Sequence, residues 1–121
     1  MDKRILLVDD DPQILKLFSK ILTKGGYAVS TETSGDEAIK VLGTGGPFDL
    51  MVLDLCMPKP DGFEVLKEVR TRYPGLRTLV ISGFMGGALL AAANALGATA
   101  TINKADAPRN LLEQVNRVLQ H

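Results

Sequence analysis

Acidic side chains follow two short apolar runs in this chain of 121 residues. The run Ile5–Val8 leads directly into three aspartates, Asp9–Asp11. The run Met51–Leu53 leads into a single carboxylate, Asp54. Apolar runs this short, with β-branched residues and turn residues after them, are typical of buried strands. Open parallel sheets bind their ligands at the carboxyl ends of their strands, so these carboxylates are predicted to meet at one site.

A hydroxyl and an ammonium follow two later apolar runs. Ser82 comes directly after Thr78–Ile81, and Lys104 lies two residues after Thr99–Ile102. Crowded carboxylates repel one another unless a cation is present, and hard oxygen ligands that leave room for water suit Mg²⁺. The hydroxyl and the ammonium suit an anion on Asp54. The simplest such anion is a phosphoryl group, whose transfer needs positioning and charge neutralisation and can use an Asp carboxylate as nucleophile.

Helical patterns alternate with the apolar runs along the chain. The five runs predicted to be strands are Ile5–Val8, Tyr27–Thr31, Leu50–Leu53, Thr78–Ile81 and Thr99–Ile102. Two of the helices begin at typical capping residues, Asp11 with Pro12 and Ser34 with Glu37. This alternation predicts an α/β fold. We expect a flavodoxin-like, doubly wound, five-stranded parallel sheet in the order 2-1-3-4-5, with helices on both faces.

Local patterns also predict the placement of individual side chains. In the first helix, the apolar residues at helical spacing are Ile14, Leu17, Phe18 and Ile21. Cys56 is the single cysteine, so no internal disulfide can form and a reducing compartment is expected. Its side chain is interpreted as a small apolar filler without a redox role.

The charge balance and the length limit the possible functions. The chain carries 14 Lys and Arg residues and 14 Asp and Glu residues, so no long-range field attracts nucleic acid or an anionic membrane as a main partner. No apolar run approaches the ~18 residues of a membrane span, and the cytoplasm is the expected location. The length fits a single domain over residues 1–121.

Four motifs in this order resemble those of the receiver domains of bacterial two-component response regulators, including the single-domain chemotaxis regulators. The motifs are Leu-Val-Asp-Asp-Asp at the first strand, Asp54 to Gly62 at the third, Ile81-Ser82-Gly83 at the fourth, and Gly97-Ala98 with Lys104 at the fifth. The resemblance covers essentially the whole chain and implies a phosphorylation-switched signalling module rather than an enzyme with a separate substrate.

The resemblance implies a magnesium site at the sheet edge. Asp9 and Asp10 would hold Mg²⁺ together with Asp54. The backbone carbonyl of Cys56 would be a further ligand.

The resemblance also implies how a phosphoryl group is received. Asp54 would be the acceptor, Ser82 the switch hydroxyl and Lys104 the phosphoryl contact. The donor would be a phosphohistidine on a sensor histidine kinase or on a histidine phosphotransfer protein.

Two positions depart from the family pattern. The family usually has an aromatic residue where this chain has Thr101, and a Lys-Pro pair where this chain has Lys104 and Ala105. An aromatic side chain that changes rotamer therefore cannot transmit the signal here. The loss of proline also removes the usual reason for a cis peptide bond.

The segment Ala88–Leu96 is predicted to be a helix whose only polar residue is Asn94. A surface helix normally has a polar outer face. The face made by this helix, the last strand and the last helix is therefore a candidate contact surface for an output partner or for a homodimer.

Two other functions fit part of the pattern. A receiver-like scaffold would bind its partner regardless of phosphate, and the residues at Thr101 and Ala105 lend it some weight. A small aspartyl-phosphate phosphatase would usually have a second acid two residues after its nucleophile, where this chain has Cys56. Equal partner affinity with and without beryllofluoride would favour the scaffold. Turnover of a phosphate ester would favour the phosphatase.

Overall fold

A parallel sheet forms the centre of the computed structural model, which describes residues 2–58, 60–83 and 87–120, without the side chains of Gly87, Leu89 and Leu90. The strands are β1 (Arg4–Val8), β2 (Ala28–Glu32), β3 (Leu50–Asp54), β4 (Arg77–Ser82) and β5 (Ala100–Asn103). The helices are α1 (Pro12–Lys24), α2 (Gly35–Thr44), α3 (Gly62–Arg72), α4 (Gly87–Ala95) and α5 (Ala107–Gln120), with a 3₁₀ turn at Lys104–Asp106. The strand order β2-β1-β3-β4-β5 and the parallel pairing of all neighbours confirm the predicted fold.

Two apolar layers pack against the two faces of the sheet. Ile5 and Leu7 of β1 point towards α1 and α5, while Leu6 and Val8 point towards α2 and α3. A strand whose side chains are buried on both faces needs a continuous apolar sequence, which is why β1 and β3 read as unbroken apolar runs. The sheet edge with the carboxyl ends of these strands is therefore held by core residues on both sides.

Local capping explains where the helices begin. The Asp11 side chain accepts a hydrogen bond from the Gln13 N–H at 2.9 Å, and Pro12 occupies the start of α1, as predicted. At α2, Ser34 Oγ accepts from the Glu37 N–H at 3.2 Å. A complete reciprocal capping box forms at the start of α3, where the side chains of Asp61 and Glu64 each bond the other's backbone N–H.

Most strand bounds differ from the sequence prediction by one residue, and β2 is Ala28–Glu32 rather than Tyr27–Thr31. Strands β3 and β4 extend by one residue to include Asp54 and Ser82, so both side chains belong to strands rather than to loops. Strand β5 ends at Asn103, so Lys104 follows it directly. In α1 the buried residues are Leu15, Phe18 and Leu22, whereas Leu17 is 43% exposed.

Lys59 of the third-strand motif lies outside the described residues. Among the residues that are described, no helix combines the length and the apolar character needed to cross a lipid bilayer.

Candidate functional site

Three carboxylates meet at the carboxyl end of the sheet. Asp9 follows β1 and Asp54 ends β3, and both are 2% exposed. Asp10, beside Asp9, is exposed to solvent. Each of the three offers one oxygen that lies within 4.8 Å of the corresponding oxygens of the other two. The structure thus brings together three of the four aspartates that the sequence predicted to share a site, whereas the fourth, Asp11, caps α1.

Both buried carboxylates bond the backbone two residues ahead. Asp9 Oδ1 accepts a hydrogen bond from the Asp11 N–H at 2.9 Å, and Asp54 Oδ1 accepts from the Cys56 N–H at 3.1 Å. Such turns fix the loop that follows each strand and orient the carboxylate. One oxygen of each carboxylate is therefore committed to the backbone, and the other faces the site.

Lys104 contacts the second oxygen of both buried carboxylates. Its ammonium lies 2.8 Å from Asp9 Oδ2 and 3.3 Å from Asp54 Oδ2, and the side chain is 23% exposed. Since strands β1, β3, β4 and β5 are neighbours, a residue directly after β5 reaches across β4 to the acids. The stem of Lys104 passes Gly83, where an added Cβ would lie 3.5 Å from the Lys104 Cδ.

The electrostatics of the site follow from burial and from these contacts. Burial raises the pKa of Asp54 above its ordinary value, and the nearby charge of Asp9 raises it further, against the lowering effects of the Cys56 N–H and of Lys104. Burial alone would lower the pKa of Lys104, but its bonds and charge interactions with Asp9 and Asp54 outweigh this and raise that pKa. The lysine is therefore held firmly in its charged form.

Ser82 supplies a buried hydroxyl at the same edge. Asp54 pairs with Ile81 across the β3–β4 ladder, so Ser82 lies one residue beyond that pair. The Ser82 side chain is 1% exposed, and its Oγ has no hydrogen-bond partner among the described residues. Leaving a buried hydroxyl unpaired costs about 1–3 kcal/mol, so this group can gain from an oxygen that enters the site.

The interpretation of the Cys56 side chain as an apolar filler is wrong, because the side chain is exposed. After β3 the side chains alternate between the core and solvent, so that Leu55 and Met57 are buried, at 3% and 8% exposure. They occupy the apolar space beneath the loop and turn Cys56 outward. Its backbone N–H bonds Asp54, as described above.

The donor set fits a divalent metal ion. Two buried carboxylates and one ammonium leave an excess negative charge, to which the exposed Asp10 adds. All of the side-chain donors are carboxylate oxygens, which Mg²⁺ prefers over nitrogen or sulfur ligands. The residues present therefore suit Mg²⁺ in type and in charge.

A sequence profile of the response regulator receiver domain matches residues 5–116. The chain belongs to this family. Receiver domains are the phosphorylation-switched signalling modules of two-component systems, and they interact with histidine kinases or phosphotransfer proteins. They generally bind Mg²⁺, and they are generally not enzymes with a separate substrate.

Individual relatives support the assignment to receiver domains. Response regulator SaeR of Staphylococcus aureus is 31% identical over 115 residues, which are 95% of this chain and 50% of that protein. The alkaline phosphatase synthesis transcriptional regulatory protein PhoP of Bacillus subtilis is 47% identical over 70 residues, which are 58% of this chain and 29% of PhoP. The chain thus spans half or less of the length of each of these two curated relatives. A CheY-like receiver domain protein from Methanospirillum hungatei JF-1 superposes with a TM-score of 0.92 at 31% identity, covering 99% of this chain and 95% of that one.

Asn103 is a residue of this receiver domain that the motifs do not single out. Its Oδ1 accepts a hydrogen bond from the Ala105 N–H at 3.0 Å, at the start of the 3₁₀ turn that begins with Lys104. The sequence feature that could have indicated this turn is an Asn at the end of a strand, because Asn is favoured in turns and at helix caps. A proline at position 105 would have no N–H to donate.

Proposed function

We propose that this receiver domain accepts a phosphoryl group on Asp54. The observation that carries the proposal is the contact of Lys104 with both buried carboxylates, which sets a positive charge beside the Asp54 oxygen that faces the site. A carboxylate with this partner, in a cluster that fits Mg²⁺, has what phosphoryl transfer requires in positioning and charge neutralisation.

The proposed donor is a phosphohistidine on a sensor histidine kinase or on a histidine phosphotransfer protein. The Asp54 carboxylate oxygen forms the new P–O bond as the P–N bond breaks, and the imidazole leaves with the bonding electrons and takes a proton from solvent. The domain catalyses its own modification in this scheme. Because the Asp54 oxygen that faces the site is already oriented by the bond from Cys56 N–H to its partner oxygen, little reorganisation is needed.

The residues proposed to hold Mg²⁺ are Asp9, Asp10 and Asp54, with the backbone carbonyl of Cys56 as a further ligand. When bound, the metal neutralises negative charge on the phosphoryl oxygens. Asp9 has its Oδ1 fixed by the Asp11 N–H, so its orientation is set before any ligand arrives.

Lys104 and Ser82 are proposed to hold the transferred group. Phosphorylation adds about −1.5 to −2 charges at the site. The Lys104 ammonium can move from the carboxylates to a phosphoryl oxygen, and the Ser82 hydroxyl can satisfy its unpaired hydrogen-bonding capacity there. A charge-assisted hydrogen bond contributes about 1.5–3 kcal/mol, and a two-state switch from 1:99 to 99:1 needs about 5.5 kcal/mol. The Ser82 bond is new, whereas the Lys104 bond replaces contacts that the lysine already makes, so these two bonds supply only part of the energy that full switching needs.

The modification is proposed to change a binding surface that includes α4, β5 and α5. In the described part of α4, Ala88 and Ala91 are exposed and Ala93 is buried against the sheet. An exposed surface of alanines adds little polar character, which suits contact with an output partner or with a second copy of the domain.

The test uses a small phosphodonor, such as phosphoramidate, with Mg²⁺. Wild type should gain the mass of one phosphoryl group and Asp54→Asn should not, while Asp36→Asn, which changes an exposed aspartate of α2, should react like wild type. Chelation of Mg²⁺ should abolish the modification. An unmodified wild type, or modification that survives in Asp54→Asn, would contradict the proposal.

A further inference from the structure

We propose that Asn103 is a positioning residue for Lys104. Its side chain fixes the turn from which Lys104 projects, and thereby directs the ammonium to the acids. The proposed effect on phosphoryl transfer rests on the function proposed above, whereas the effect on the position of Lys104 does not.

The turn after β5 is held by two hydrogen bonds around Lys104. Asn103 is extended, with φ −73° and ψ 132°, and its Oδ1 accepts from the Ala105 N–H at 3.0 Å. The Ala107 N–H donates to the Lys104 carbonyl and closes the 3₁₀ turn. The backbone of Lys104 is therefore bridged by a side-chain bond on one side and a backbone bond on the other.

The position of the Lys104 ammonium depends on this backbone. A lysine side chain has four rotatable bonds, so ordering it costs conformational entropy. The described contacts that order it are the stem passing Gly83 and the two carboxylates at its end. A change in the direction of the Lys104 Cα–Cβ bond would move the ammonium away from two acceptors at once.

The same bonding pattern recurs at all three strand ends that carry charged site residues. Asp9 and Asp54 each accept from the backbone N–H two residues ahead, as Asn103 does. After β1 and β3 the bonding residue is itself a charged member of the site. After β5 the bonding residue is neutral and its neighbour Lys104 is the charged member, so the turn can be removed at Asn103 without changing the charge of the site.

The first test measures where the Lys104 side chain lies, by nuclear Overhauser contacts between its methylene protons and the Gly83 protons. Wild type and Asn103→Ser should show these contacts, because serine offers a side-chain oxygen of similar capping strength. Asn103→Ala should weaken or lose them in an otherwise unchanged spectrum. Asn110→Ala, which changes an exposed asparagine of α5, should match wild type. Full-strength contacts in Asn103→Ala would overturn the proposal.

The second test measures the rate of modification by phosphoramidate with Mg²⁺. Asn103→Ala should react more slowly than wild type by up to about fivefold, because the loss of a cap can lower the population of the turn by that factor, and Asn103→Ser should recover most of the rate. In a Lys104→Ala background, Asn103→Ala should cause no further loss, because both changes act through the same ammonium. A further fivefold loss in that background would refute a role through Lys104. If wild type is not modified at all, the proposed function fails, and the Overhauser contacts still decide whether Asn103 positions Lys104.

Discussion

Replacing Lys104 by alanine should destabilise the domain, because the lysine is the counterion of two buried carboxylates. Asp9 and Asp54 are each 2% exposed, and among the described residues Lys104 is the cation that bonds both of them. Lys104→Ala removes both contacts and leaves two like charges close together. The perturbation is therefore electrostatic and concentrated at one edge of the sheet.

The size of the loss follows from burial. Removing one partner of a buried ion pair costs about 3–5 kcal/mol. Lys104 is 23% exposed, and Asp54 can take up a proton rather than stay an uncompensated charge, so we expect the lower end, about 3 kcal/mol. At about 2.1 cal/mol/K of unfolding entropy per residue, this corresponds to a fall of about 12 °C in Tm for the 121-residue chain.

The assay is urea unfolding followed by circular dichroism at about pH 7 in the presence of a chelator. Lys20→Ala, which changes an exposed lysine of α1, is the matched control and should cost less than about 0.5 kcal/mol. In an Asp54→Asn background, Lys104→Ala should cost about 1.5 kcal/mol, because one of its two charged partners is gone. With saturating Mg²⁺ in place of the chelator, the unfolding free energy of Lys104→Ala should rise more than that of wild type, since a bound cation replaces the missing charge.

Two results would refute this reasoning. A loss in Lys104→Ala as small as that in Lys20→Ala would show that the carboxylates do not depend on the lysine. An equal loss in the wild-type and Asp54→Asn backgrounds would show that the cost has another origin, such as the packing of the lysine stem.

Two further stability predictions concern Asp54 and the start of α3. Burial raises the folded-state pKa of Asp54 above its ordinary value of 3.8, which applies to the unfolded chain. At a pH between these two pKa values, folding binds a proton. The contribution of Asp54 to stability therefore falls as the pH rises from the lower pKa to the higher one. The free energy of unfolding of Asp54→Asn, relative to that of wild type in chelator, should therefore increase as the pH rises above about 3.8. Urea titrations in which this difference decreases would contradict the assignment. At Gly62, an added Cβ would lie 2.4 Å from the Leu55 Cα and 2.5 Å from the Asp54 carbonyl oxygen, so Gly62→Ala should cost about 2–3 kcal/mol. Gly75→Ala, with nothing within 4 Å of its added Cβ, should change the unfolding free energy by less than about 0.5 kcal/mol, and equal losses at the two glycines would disprove the steric argument.

The sheet and its edge residues could be predicted from the sequence because the relevant signals are local. Strands β1 and β3 are buried on both faces, so they appear as unbroken apolar runs with an acid at the end. The cap at Asp11 and Pro12 likewise depends only on neighbouring residues. Given the strand order, Asp9 and Asp54 have to approach each other, and the structure places their oxygens together.

Side-chain direction could not be predicted where tertiary packing decides it. In α1, spacing alone allows apolar faces that include either Leu15 or Leu17, and the contact with α5 and the sheet selects Leu15. After β3, the spacing of the residues does not show which side chains of the loop point into the core and which point into solvent. The side chains do alternate, so Leu55 and Met57 are buried and Cys56 is exposed.

The loss of proline after Lys104 illustrates a different limit of sequence reasoning. The sequence shows that Ala105 replaces the residue that usually shapes this loop, but it does not show what shapes the loop instead. In the structure, the Ala105 N–H donates a hydrogen bond to Asn103 Oδ1 and so holds the loop. A proline at position 105 would lack this N–H. The two positions are therefore coupled: the Asn103 bond requires a residue other than proline at position 105. At this departure from the family pattern, the Asn103 side chain therefore bonds an N–H that the usual proline would lack, and this is the bond proposed to position Lys104.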